Sequence, residues 1–349
     1  MANERLLGVV LATVLAVIIG WVLHIGKAVL VPIVFAVLLS YVILGLARML
    51  QRLPVVGARV PGGLLVAFSV LAMVLALAAG AALLSSNIGK LVQMAPQLQE
   101  SLLSVIQGSA AWLGIEFTPT WQSLRTDVLE QVSLQRLVGS AVVSLTTVLT
   151  TIGLVLLYVG FLLLERQGFD RKVGRLSGDP VTVTRIRHII GKVNDRIGSY
   201  LALKTLINIL LGLVSWLIMV AFGLELAAFW AVLIAVMNYV PYIGSFLGVL
   251  FPVAFAVVQL GEPGPLLAMS AGLIAAQFAI GNLLEPLLMG NTLNLSPFVI
   301  LVTLAIWSGL WGIAGAFLSV PMTAVVALAL SEFPQTRPIA VLLSRNGQA

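Results

Sequence analysis

The sequence predicts an all-α polytopic membrane protein of about eight transmembrane helices, with discontinuous or re-entrant segments in its C-terminal half and two amphipathic helical insertions. Three observations carry the prediction. Apolar residues make up 60% of the 349 and charged residues 9%, where a soluble chain carries roughly a quarter charged. Mean hydropathy is +1.12. The apolar residues fall in blocks of about twenty, long enough for a helix to cross a hydrocarbon core of about 30 Å.

Charge and cysteine content narrow the function classes. The net charge of +6 comes from cations beside apolar blocks, the pattern of the positive-inside rule, not of a nucleic-acid face. Cysteine is absent, which removes disulfides, thiol catalysis and cysteine metal sites. No phosphate-binding loop, H-E-x-x-H or G-x-S-x-G motif occurs, so the chain reads as a non-enzyme with no cofactor and no metal site.

The elements follow in order. Residues 1–84 hold the first three spans. Leu6–Leu23 exceeds a signal-peptide core of about 7 to 15 residues and reads as a retained helix. A second span from about Ala28 to Ala47 closes a hairpin after Lys27, and a third runs from about Gly62 to Leu84. Arg48, Arg52 and Arg59, with helix-breaking Pro54 and Pro61, place the intervening loop and the N-terminus in the cytoplasm. Residues 85–138 form an extracytoplasmic amphipathic insertion, because Leu98, Leu102, Val105 and Ile106, and again Trp121, Leu124, Val128 and Val132, recur at helical spacing. Residues 139–165 are the fourth span. Residues 166–199 collect Arg166, Arg171, Lys172, Arg175, Arg185, Arg187, Lys192 and Arg196 in a cytoplasmic amphipathic insertion whose helix starts at Asp179 and Pro180. Its polar face, with Arg185, His188, Lys192 and Arg196, meets anionic headgroups or water. His24, near Trp21, reads as interfacial.

The last two blocks are a transport core at 200–331 and a cytoplasmic tail at 332–349. Beyond Lys204 no cation occurs until Arg337, and Glu225, Glu262 and Glu285 are the acids before Ser331. A fifth span covers about Leu203 to Phe222. The apolar run from Leu226 to Leu260 is too long for one span and is interrupted at Asn238–Gly244, with Pro241 and Gly244 as hinge residues. A second interruption, with Pro286, Gly290 and Pro297 as break positions, follows Ile280. Backbone freed from helical bonding must be buried in protein or line an aqueous cavity, and paired Gly/Pro-interrupted segments point to a transporter's central site. Gly309, Gly312 and Gly315 permit close packing or a bend in the final helix.

These segments carry a resemblance. Asn238–Gly248 (NYVPYIGSFLG), Glu285–Gly290 (EPLLMG), Leu295–Pro297 (LSP) and Trp307–Pro321 (WSGLWGIAGAFLSVP) resemble the autoinducer-2 exporter family of transporters, over nearly the whole chain. The resemblance implies about eight spans, both termini in the cytoplasm, and a homo-oligomer, a pentamer by the family's pattern. It implies export of a furanosyl quorum-sensing signal, or sodium(lithium)/proton antiport as in other relatives. Many relatives have His before the proline matched by Pro297; this chain has Ser296, which sets it apart from a His-based proton relay there.

Candidate contacts for a small polar solute or for H+ or Na+ are Glu285, Asn238, Tyr242, Asn282 and Asn291. A carboxylate beside a helix break in a cation-free stretch needs water, an ion or a polar partner, so Glu285 binds a proton or cation or caps a half-helix. The neutral residues hydrogen-bond a polyhydroxylated solute or satisfy unwound backbone. The expected function is secondary transport across a bacterial inner membrane, by moving one helical group against another around the breaks. The contrasting classes are a non-transporting membrane scaffold, in which the breaks are packing features, and an ion-conducting pore, for which no selectivity filter is evident.

Overall fold

The computed structural model describes residues 2–53, 59–112, 134–175, 179–290 and 293–348. Among them no strand occurs beyond one isolated bridge between Leu295 and Ser344, and seven helical segments are long and apolar enough to cross a membrane. Thr13–Ile25 and Ala227–Met237 are shorter apolar helices. The all-α polytopic architecture is therefore as the sequence predicts. Large apolar side chains such as Val17, Trp21, Phe68 and Phe161 are exposed, as contact with lipid favours.

Helices α1 (Ala2–Ile25) and α2 (Lys27–Gln51) join at Gly26, whose N–H donates to the Val22 carbonyl at 2.8 Å. Helix α3 (Gly62–Trp112) carries the third span, with Gly62–Asn87 apolar enough to cross, and runs on into the insertion as a single helix of 51 residues. The polar residues at the expected boundary do not end it. Ser85, Ser86 and Asn87 donate to the carbonyls of Ala82, Leu83 and Leu83, so their side chains bond inside the helix and leave its ladder intact. The backbone at Leu98–Ile106 continues this helix. Trp121, Leu124, Val128 and Val132 lie outside the described residues.

Helix α4 (Leu134–Val173) contains the fourth span, with Leu149–Arg166 apolar enough to cross. Helix α5 (Pro180–Ala221) starts as expected: the Asp179 carboxylate accepts from the N–H groups of Val181 (3.1 Å) and Thr182 (3.0 Å) and from the Thr182 hydroxyl (2.6 Å). The Thr182 hydroxyl and these two amides hold the Asp179 carboxyl below its usual range. The amphipathic insertion and the fifth span are one helix of 42 residues, because Ser199, Tyr200, Leu201 and Ala202 contain no breaker and the ladder runs through.

Helices α6 (Ala227–Met237) and α7 (Ile243–Leu260) meet at the interruption read from the sequence. Helix α8 (Pro263–Phe278) passes through a π-turn at Ala279–Leu284 into α9 (Glu285–Met289), so the chain stays helical from Pro263 to Met289. This corrects the expectation of a break at Pro286. A π-turn re-registers the hydrogen-bond ladder, and a proline just after it removes a donor where the ladder is already displaced. The chain leaves the helix at Gly290, which has φ +52°. Helix α10 (Pro297–Ser331) bends at Gly312, whose φ of 64° and ψ of −140° belong to a region open to glycine alone. Helix α11 (Arg337–Leu343) follows.

Contacts divide the chain into two compact units. Unit one comprises Met1–Val70, Gly153–Thr205 and Met289–Ala349. In it α1, α2 and α11 pack on α10, around buried Ile43, Ile197 and Leu318. The Trp311 indole N–H donates to the Leu23 carbonyl at 2.9 Å, and His24 Nδ1 lies 3.2 Å from the Leu310 carbonyl oxygen. Unit two comprises Leu71–Ile152 and Leu206–Leu288. There α7 packs on α6 and α8, with Trp230 between Phe229 and Phe255 at 4.9 and 5.4 Å between ring centroids.

Candidate functional site

The first interruption is built by an unusual turn. After α6 the chain runs through Tyr239, Val240 and Pro241 to Tyr242, which has φ 59° and ψ −57°. The Ile243 N–H donates to the Pro241 carbonyl at 2.6 Å, closing a three-residue γ-turn of the rare positive-φ kind, strained for a residue with a Cβ. The Gly244 N–H donates to the Val240 carbonyl at 3.0 Å. A Cβ on Gly244 would overlap the Met237 carbonyl, so this position needs glycine for the two helix ends to approach.

The turn leaves Asn238 at the end of α6 with 4% exposure. Its Nδ2 donates to Asn208 Oδ1 on α5 at 2.8 Å, and its Oδ1 accepts from the Ser245 hydroxyl at 3.0 Å and from Gln277 Nε2 at 3.0 Å. Four polar side chains from four helices thus converge in the apolar interior of unit two. Their hydrogen bonding is incomplete: Asn208, 2% exposed, keeps Nδ2 without a partner, and so does Gln277 its Oε1. An unmet buried donor or acceptor costs roughly 1–3 kcal/mol, so the arrangement offers a donor and an acceptor to something that enters. None of the four side chains is an acid or a base, so the cluster offers neutral hydrogen-bonding groups only.

Of the residues expected from the sequence, Asn238 is in this cluster. Tyr242 shapes the turn, with 54% of its surface exposed. Asn282 is exposed within the π-turn, and Glu285, partly buried, is the first residue of α9 with a polar or electrostatic contact of its own. Pro241 lies in the first interruption, Gly244 in the first turn of α7, Pro286 within α9, and Gly290 and Pro297 at the two ends of the second interruption. Asn291 lies outside the described residues. Among the described residues no group of three or more His, Asp or Glu is placed to hold a metal ion. The sequence reading missed Asn208 and Gln277. Each is a polar side chain inside an apolar helix, the kind of residue a membrane interior retains for function.

Unit one holds ion pairs. Lys192 donates to Glu332 Oε1 at 2.7 Å, and Arg185 donates to the Glu332 carbonyl and stacks on the Phe333 ring with 5.2 Å to its centroid. Arg48 donates to Asp195 at 2.9 Å. The Lys192 ammonium, reinforced by the positive field of His188 and Arg185, holds the Glu332 carboxyl below its ordinary range.

Multiple apolar helices, one of their interruptions enclosing unpaired amides, define a helical membrane protein with an internal polar site. The family model described as AI-2E family transporter matches residues 8–335, and the chain belongs to that family. It is 30% identical over 347 residues to the AI-2 transport protein TqsA of Escherichia coli (strain K12), covering 97% of this chain and 96% of that one. It is 29% identical to the putative transport protein YhhT of the same strain, over 78% of this chain and 77% of the relative. A putative transport protein of Haemophilus influenzae is 27% identical over 75% of this chain and 76% of its own. The protein is thus a multi-pass membrane transporter.

Proposed function

We propose that the chain is a secondary transporter of the bacterial inner membrane that exports a small polar solute such as a furanosyl quorum-sensing signal, with the amides around Asn238 as its contact. The observation that carries the reading is the unpaired Asn208 Nδ2 and Gln277 Oε1 beside Asn238. A hydroxyl group both donates and accepts, so one polyhydroxylated solute satisfies both amides. The similarity to a protein named for AI-2 transport supports the same class. The cations at Arg48, Arg52 and Arg59 and between Arg166 and Arg196 support cytoplasmic termini. Assembly as a homo-oligomer, a pentamer, belongs to this proposal through the family resemblance.

Ion coupling is assigned to Glu285, because it is a partly buried carboxylate at a π-turn, a distortion frequent at functional sites. The same residue favours a second reading, sodium(lithium)/proton antiport.

Flux into proteoliposomes tests both. Asn208→Leu and Gln277→Leu lower export of the furanosyl signal by roughly tenfold or more while the protein elutes as the wild type does. Glu285→Gln removes the dependence on sodium or proton gradients. Sodium/proton exchange without solute flux selects antiport, and wild-type vesicles that move neither solute nor ion overturn both readings.

A further inference from the structure

Unit one contains a cavity of about 470 Å3 that the transport reading leaves unused. Its walls are Arg196 on α5, residues 293–295, the end of α10 and the tail at 344–348. The tail is fastened as the outer wall. The Arg345 N–H donates to the Asn294 carbonyl and the Ser296 N–H to the Leu343 carbonyl, each at 3.0 Å, while Asn294 Nδ2 donates to the Gln348 carbonyl at 2.7 Å. Asn294 has φ 46°, a left-handed value that asparagine tolerates better than most residues, and both its amide and its carbonyl grip the tail.

The chemistry of the lining is one-sided. Arg196 is the one charged residue among those lining the cavity, and no described residue forms an ion pair or hydrogen bond with it. Neighbouring cations on the same helix system are engaged: Lys192 holds Glu332, and Arg48 holds Asp195. Asn346 and Gln348 add amides from the tail, and Ala324, Ala327 and Leu328 give the opposite wall an apolar surface. A guanidinium fork with further donors from a second element suits a tetrahedral oxyanion. The volume lies within the range of about 300–1,000 Å3 typical of small-molecule sites.

We infer that this cavity binds a small phosphate-bearing amphiphile, its oxyanion on Arg196 and its apolar part against Ala324, Ala327 and Leu328. The same chemistry is offered by a soluble phosphate ester and by a phospholipid headgroup, and the inference stands independently of the solute exported.

The probe is butyl phosphate, titrated calorimetrically into the full chain in neutral detergent, with butanol as the uncharged control. Saturable binding of butyl phosphate, absent for butanol, is expected. It weakens by roughly tenfold or more in Arg196→Gln and is partly regained in Arg196→Lys. In a second arm, melting is followed in phosphatidylcholine nanodiscs with and without phosphatidylglycerol. An Arg196-dependent rise confined to phosphatidylglycerol assigns the site to a headgroup, and butyl phosphate binding without such a rise assigns it to a soluble ester. Equal binding by wild type and Arg196→Gln, or no Arg196-dependent effect in either arm, overturns the inference.

Discussion

Two interruptions of the helical chain face the same physical problem and solve it differently. Between α6 and α7 the freed backbone is closed locally, by a γ-turn at Tyr242 and a bond from Gly244 to Val240. Between α9 and α10 it is closed by a distant part of the chain, through backbone bonds from Ser296 to Leu343 and from Arg345 to Asn294. The first solution frees side chains: Asn238 serves Asn208, Ser245 and Gln277 and leaves two amide atoms unmet. The second engages the Asn294 side chain in holding the tail. An interruption that satisfies its own backbone leaves its polar side chains to one another; one that borrows a tail uses them to hold it.

The comparison breaks most sharply at Gly244. Gly244→Val drives a side chain into the Met237 carbonyl, and a loss of about 3 kcal/mol, seen as aggregation or a lowered melting temperature in detergent, is expected. A wild-type melting curve would mean that the helix ends need no such close approach. Asn294→Ala acts on the other interruption. It removes the Nδ2 bond to Gln348 and places alanine at positive φ, a local cost of about 1–2 kcal/mol. Trypsin then cuts after Arg345 faster than in the wild type; an unchanged cleavage rate would show that Asn294 does not hold the tail. The smallest effect concerns Lys192 and Glu332, a partly exposed pair worth at most about 1 kcal/mol. Because the Glu332 pKa is lowered, its contribution is complete above the ordinary carboxylate range and fades as pH falls through the lowered value. Lys192→Met therefore flattens the acid side of a melting-temperature-against-pH profile, and a profile parallel to the wild type would remove the pair from the account.

Much of this was legible in the sequence because apolar length and helix breakers act locally. The run from Leu226 to Leu260 exceeds a bilayer span, and Asn238–Gly244 marks where it folds back; the structure turns at that place. Local signals also misled. Pro286 reads as a break, yet the chain stays helical from Pro263 to Met289 through the π-turn before it. The candidate site was legible only at Asn238. Asn208 and Gln277 stand 30 and 39 positions from it in the chain, and no local pattern links a single amide in one apolar helix to another so far away.

The γ-turn at Tyr242 gives the first interruption a direction of relaxation. A side chain held in that backbone region raises the energy of the turn by about 1–3 kcal/mol, which corresponds to roughly a 5- to 150-fold bias toward any geometry that releases it. The ends of α6 and α7 are therefore wound against a soft spring. A rearrangement of that corner that frees Tyr242 from the turn recovers this strain.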